Sequence, residues 1–144
     1  MSDASEQLGK HDPAQSEMMD EMCLLVDKED NVIGTKSKLE CHFAEGHRHR
    51  AFSVVIMNNN GEMLVQQRSK EKITFPGVWA NACCSHPLNV SNENTSDSEG
   101  VINAARRKLE HELGILMSET ENWDFNFLGR FEYQCRWDDD WIEK

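Results

Sequence analysis

No run of this chain is long and apolar enough to cross a bilayer, because hydrophobic residues make up only 38% of its 144 positions. The amino end, MSDASEQLGKHDPAQSEMMDEM, lacks the apolar centre of a secretory signal and the arginine richness of a transit peptide. Positive charge is scarce as well. Lys and Arg number 15 against 26 Asp and Glu, a net charge of -11. Such a surface repels polyphosphates, which argues against nucleic acid as a partner. We expect no membrane partner either. There is no Cys-x-x-Cys pair of the structural-zinc kind. The five cysteines, Cys23, Cys41, Cys83, Cys84 and Cys135, are odd in number and two are adjacent, a poor disulfide framework. The expectation is a reducing cytoplasmic compartment, with a peroxisomal one as the alternative. Internal repeats and low-complexity tracts are missing too.

What is present suits one domain. Residues 1–17 have almost nothing to bury and read as a disordered tail, which leaves 18–144 as the folded domain. CLLVD, a KEDN turn and VIG predict a hairpin. KSKLECHFAEGHRHR (36–50) reads as a loop with a short helical turn. AFSVVIM and EMLVQQR read as strands joined at NNNG, and ITFPGVWANACCSHP as an irregular segment. SEGVINAARRKLEHELGI carries apolar residues at helical spacing through Val101, Ala104, Ala105, Leu109 and Leu113. Ser98 is placed to cap this helix and Gly114 to stop it. NFLGRFEYQCRW (126–137) reads as a further strand. Strands, one main helix and more strands make an α/β (α+β) layered fold.

Four groups of residues could do chemistry. His42 and His49 flank a loop, and His86 follows Cys84 by two positions. Imidazole is the commonest metal ligand, although this spacing fits no compact zinc motif and HRHR could equally be a solvated stretch. In ANACCSHP a cysteine beside a metal or a cation would be reactive; the plain alternative is two small buried hydrophobes. Lys38, Arg68 and Lys72 could converge on a diphosphate, or could be scattered surface charges. On the helix, Glu112 lies one turn from Lys108, which alone implies an ordinary solvated pair.

HRAFSVVIMN, LVQQRSKEKITFPGVWANACCSHPL and AARRKLEHELGI, in that order, resemble the type I isopentenyl-diphosphate isomerase family of the Nudix superfamily. The likeness begins near Glu21 and reaches the last residue. AARRKLEHELGI is similar to the end of a Nudix box, but positions where a hydrolase would carry glutamate hold Lys108 and His111.

The resemblance implies a Nudix-like mixed sheet layered with helices. It also implies interconversion of isopentenyl and dimethylallyl diphosphate in isoprenoid biosynthesis. His42, His49, His86 and Glu143 are the implied ligands of a divalent ion (Mn²⁺, Mg²⁺ or Zn²⁺). Glu112 is the implied ligand of Mg²⁺ on the substrate diphosphate. Lys38, Arg68, Lys72 and Ser85 are the implied diphosphate contacts, Cys84 and Tyr133 the implied catalytic residues, and Trp79 a cavity wall or a core residue. The implied partner is a small prenyl diphosphate, and we expect a monomer. A second glutamate expected two residues after Glu143 would fall at position 145, so the domain reads as incomplete at its C-terminus. A Nudix hydrolase of a nucleoside diphosphate derivative and a non-catalytic paralogue are the alternatives.

Overall fold

A computed structural model describes residue 6 and residues 8–144. Residues 1–5 and 7 of the expected tail lie outside the described residues, while Pro13–Glu17 form a short helix, α1, capped by Asp12. A 3-10 turn, Met18–Asp20, leads into β1, Met22–Val26, and β2, Val32–Ser37. Helix α2 is Lys38–His42, and β3 is Phe52–Val54. Then come β4, Val65–Gln67, β5, Trp79–Asn81, and β6, Cys83–Ser85. Helices α3, Ser98–Leu113, and α4, Met117–Thr120, precede β7, Cys135–Arg136, and β8, Ile142–Glu143. The composition is mixed α/β, as expected. Contacts divide the chain into two compact units.

The first unit comprises Met1–Arg50, Arg68–Val78 and Phe131–Lys144. Its frame is the antiparallel β1–β2 hairpin. Asp27 shapes the turn by accepting from the Glu29 and Asn31 amides. A five-residue helix is too short to hold itself in water, so α2 depends on its ends. Ser37 and Glu40 form a capping box: the Glu40 amide donates to Ser37 Oγ and the Ser37 amide to Glu40 Oε2, each at 3.2 Å. Met19, Ile73 and Trp141 form the buried apolar cluster, with Leu39 and Phe43 packed against it. Gly46 turns the chain at φ +58, where a Cβ would lie 2.6 Å from Ile142 and 2.7 Å from the Cys41 carbonyl, so only glycine fits.

The second unit comprises Ala51–Gln67 and Trp79–Arg130. β3 pairs with β6 and β4 with β5, all antiparallel. The segment expected to be irregular therefore contains two strands. They are three residues each, too short for periodicity to show. The NNNG turn forms as expected, closed by a Met57–Met63 bridge. Ala104, Ala105 and Leu109 are buried on α3, and Gly114 stops it at φ +69. The cap is Asp97, one residue before the expected Ser98: its backbone is extended and its carboxylate accepts from the Glu99 amide at 3.1 Å.

The strand expected over 126–137 shrinks to Cys135–Arg136, paired with β8. No ladder forms along 126–134 among the described residues, and Phe127, Leu128 and Phe131 are 75%, 81% and 87% exposed. No described helix is long and apolar enough to cross a membrane.

Candidate functional site

In the first unit three unrelated stretches bring two imidazoles and a carboxylate together. His42 closes α2, which its cap box fixes. His49 lies on a short extended segment held along β1: its register partner is Leu25, the Val26 amide donates to the Arg48 carbonyl, and the Arg50 amide donates to the Leu24 carbonyl. Arg50 also reaches the hairpin turn, donating to Asp30 Oδ1 at 2.9 Å and to its carbonyl at 2.7 Å. Glu143 is on β8. That ribbon is anchored by a Phe43–Trp141 bridge and by the Ala44 amide donating to the Asp140 carbonyl.

The rings are aimed by their second nitrogens. His42 Nδ1 lies 2.7 Å from the Lys38 carbonyl and His49 Nδ1 2.7 Å from the His47 carbonyl. A carbonyl can only accept, so each Nδ1 carries the proton and each Nε2 is left as the second ring atom for the cluster. His42 Nε2 is 3.1 Å from Glu143 Oε2, and the two imidazoles lie with centroids 4.5 Å apart. Glu143 Oε1 accepts from Thr74 Oγ1 at 3.1 Å. Ligand atoms of His42, His49 and Glu143 lie within 4.8 Å of one another.

Both histidines are almost fully enclosed. Burial works against charge on His42, yet the bond and charge of Glu143 outweigh it and the imidazole titrates above its ordinary value. His49 moves the other way: burial, then the adjacent His42 charge, bring it down to about 4. Burial alone would raise Glu143, but the His42 hydrogen bond and charge hold it below the usual carboxylate range. The donor types, two neutral nitrogens and one anionic oxygen, fit a divalent ion of borderline hardness. The cluster is capable of holding a metal.

The other expected site residues sit as follows. Lys38 opens α2, its ammonium 3.5 Å from Glu21. The Arg68 guanidinium donates to the carbonyls of Thr74 and Phe75 at 2.8 and 3.0 Å, bracing the segment that carries Thr74. Lys72 is half-buried in that segment, and Tyr133 is 58% exposed. In the second unit, Cys84 and Ser85 are half-buried on β6, and Cys83 is fully buried. Cys84 Sγ is 3.3 Å from Ser53 Oγ, which accepts from Asn81 Nδ2 at 2.5 Å. His86 follows β6, and its carbonyl accepts from Arg107 at 3.3 Å. Trp79 is 65% exposed and is not a core residue.

Glu112 and Lys108 pair at 3.3 Å, but not as a solvated pair. Lys108 is 1% exposed, and its ammonium also lies 3.2 Å from His111 Nδ1. Thr74, Ser53 and Asn81 were not visible in the sequence, since no spacing or composition marks a lone hydroxyl or amide at a site.

The chain is similar to known proteins. The chain is 47% identical to an isopentenyl-diphosphate delta-isomerase of Gibberella zeae over 97% of its own length and 58% of that protein. It is 42% identical to one of Aspergillus fumigatus, over 96% and 53%. To isopentenyl-diphosphate delta-isomerase 1 of Bos taurus it is 47% identical, over 92% and 60%. The chain thus spans a little over half the length of these relatives. The model of the NUDIX domain matches residues 47–143, from just before His49 to Glu143 itself. By that match, which takes in most of the chain, the protein belongs to the NUDIX family.

Proposed function

We propose that this chain interconverts isopentenyl and dimethylallyl diphosphate, acting as an isopentenyl-diphosphate isomerase or as part of one. The observation that carries the reading is 42–47% identity to proteins of that name over more than nine-tenths of this chain. The metal-capable cluster supports it. So does α3, where two positions at which a hydrolase would carry metal-binding glutamate hold the buried Lys108 and the exposed His111.

The chemistry is a proton shift. A proton adds to the terminal carbon of the alkene, leaving a tertiary cation, and a different proton leaves the adjoining methylene carbon. An alkene is a weak base and the cation would be trapped by water, so a dry site with an acid on one face and a base on the other is required. Cys84 is assigned one of these tasks. Tyr133 together with the Glu143 carboxylate is assigned the other. Lys38, Arg68, Lys72 and Ser85 bind the diphosphate, whose binding energy positions the reacting carbons.

His86 joins His42, His49 and Glu143 as a ligand of a divalent ion (Mn²⁺, Mg²⁺ or Zn²⁺), and Glu112 serves a Mg²⁺ that accompanies the diphosphate. A bound divalent ion supplies positive charge that tunes the acidity of groups beside it. The substrate partner is a prenyl diphosphate, and the chain works as a monomer in the cytoplasm or the peroxisome.

The test is incubation with isopentenyl diphosphate in D₂O. Deuterium entry and formation of dimethylallyl diphosphate support the reading. Release of phosphate or nucleotide from nucleoside diphosphate derivatives, with no deuterium entry, replaces it with hydrolysis. Binding without exchange or hydrolysis replaces it with a non-catalytic binding role.

A further inference from the structure

Ser53 and Cys84 are direct register partners across the β3–β6 ladder, so their side chains stand on the same face. The Cys84 sulfur is 3.3 Å from the Ser53 hydroxyl. That hydroxyl is itself fixed from the end of β5, where Asn81 Nδ2 donates to it at 2.5 Å. The face is open: Ser53 is exposed and Cys84 half-buried, whereas the neighbouring Cys83 points inward and is fully buried. A reacting molecule can therefore reach the sulfur of one cysteine of the pair and not the other.

A sulfur that gives and takes protons needs a neighbour that works in both states. A thiol offers a hydrogen, and a thiolate wants one. An amide or an ammonium can serve only the second, and a carbonyl only the first. A serine hydroxyl serves both, because it carries one proton and two lone pairs. With one lone pair taken by Asn81, Ser53 still has one lone pair for the thiol and one proton for the thiolate. It changes role by rotating its hydrogen, with no movement of heavy atoms.

We propose that Ser53, anchored by Asn81, is a positioning residue that keeps the Cys84 sulfur in one place whether it holds a proton or has given it up. The proposal rests on the assignment of proton transfer to Cys84. It adds two residues that neither spacing nor resemblance assigned.

Ser53→Ala, Ser53→Thr, Asn81→Asp and Cys84→Ala are compared in the full chain. Two readouts are taken: kcat and KM for isopentenyl diphosphate, and the rate at which iodoacetamide alkylates Cys84, with exposed Cys135 as internal standard in the same peptide map. Losing one hydrogen bond at a reacting atom is expected to lower kcat by about tenfold in Ser53→Ala while KM stays within about twofold. Cys84 alkylation slows severalfold in the same variant. Simple loss of bulk would speed it, so the direction separates the two explanations. Ser53→Thr, which keeps the hydroxyl, restores both readouts. Asn81→Asp, which takes the serine proton for itself, behaves like Ser53→Ala.

Unchanged or faster Cys84 alkylation in Ser53→Ala overturns the proposal, and so does failure of Ser53→Thr to restore it. Wild-type turnover in Cys84→Ala overturns the functional reading instead. If the chain shows no turnover, the alkylation readout alone decides.

Discussion

Arg107 grips Glu93 with both ends of its guanidinium, Nε to Oε1 at 2.6 Å and the terminal nitrogen to Oε2 at 2.9 Å. Glu93 is 2% exposed and also accepts from the Leu88 amide at 2.9 Å, while Arg107 donates to the His86 carbonyl. One buried carboxylate thus pins the polar loop and the segment after β6 to α3. Removing one partner of a buried pair leaves the other uncompensated. Arg107 keeps 30% of its side chain exposed, which lessens the penalty on that side. Glu93→Ala should cost about 2–3 kcal/mol in urea unfolding, and Glu93→Gln about half of that.

The metal-free chain should lose stability on both sides of neutrality. His49 has its folded value brought down to about 4 from 6.5. Between those values the unfolded chain binds more protons than the folded one, so stability falls as pH drops through this window, by about 3 kcal/mol at most. Glu143, held low, adds a loss at still more acid pH as it is protonated. His42, held high, gives stability that is present below its unfolded value and disappears as pH rises through its folded one. Urea unfolding in chelator across pH 4 to 8 checks this. His49→Gln should flatten the slope between pH 4 and 6.5.

Adding a divalent ion should stabilise the folded chain. A ligand at a hundredfold its dissociation constant contributes about 2.7 kcal/mol. Titration with Mn²⁺ or Zn²⁺ should raise Tm in the wild type, and the rise should vanish in His42→Ala and in Glu143→Gln. An equal rise in all three proteins would place the ion elsewhere.

The five thiols should label in order of access. Cys135, exposed, reacts first and Cys84, half-buried, second. Cys23, Cys41 and Cys83 are completely enclosed, and should stay unlabelled until denaturant is added. Cys23 has a further reason. The hydrogen bond with the Cys41 sulfur, together with burial, pushes its thiol far up and keeps it protonated. Peptide mapping of timed alkylation gives the order.

Lys108 and Glu112 should behave as a unit. Glu112→Gln leaves a buried ammonium with weaker compensation, at a cost of about 2 kcal/mol or more in urea unfolding. Pairing it with Lys108→Met, which removes the charge and keeps the apolar stem, should recover most of that loss.

Much of this was legible in residue order. The hairpin, α2 and α3 announced themselves through turn residues, caps and periodicity. His42 and His49 could be named beforehand as candidate ligands, with a solvated stretch as the alternative, but Glu143 only on the strength of a resemblance. Nothing in spacing predicts that residue 42 meets residue 143. β5 and β6 were missed because three-residue strands carry too little alternation to register. The reach of 126–137 was overestimated because an apolar stretch reads the same with or without a strand beside it. Lys108 was misread as solvated. On composition a lysine on a helix is a surface residue, and its burial here depends on Glu112 and His111 lying within reach.

The clasp of Arg50 on Asp30 limits how far this protein can change. Turns between strands usually tolerate inserted residues. Here the turn holds Asp30 against Arg50, and Arg50 is bonded through its own amide to β1 directly after His49. Lengthening the turn by one residue would slide the aspartate away and unhook the imidazole from its strand. A surface bend that looks free to drift is therefore fixed in length by an arginine twenty residues further along the chain.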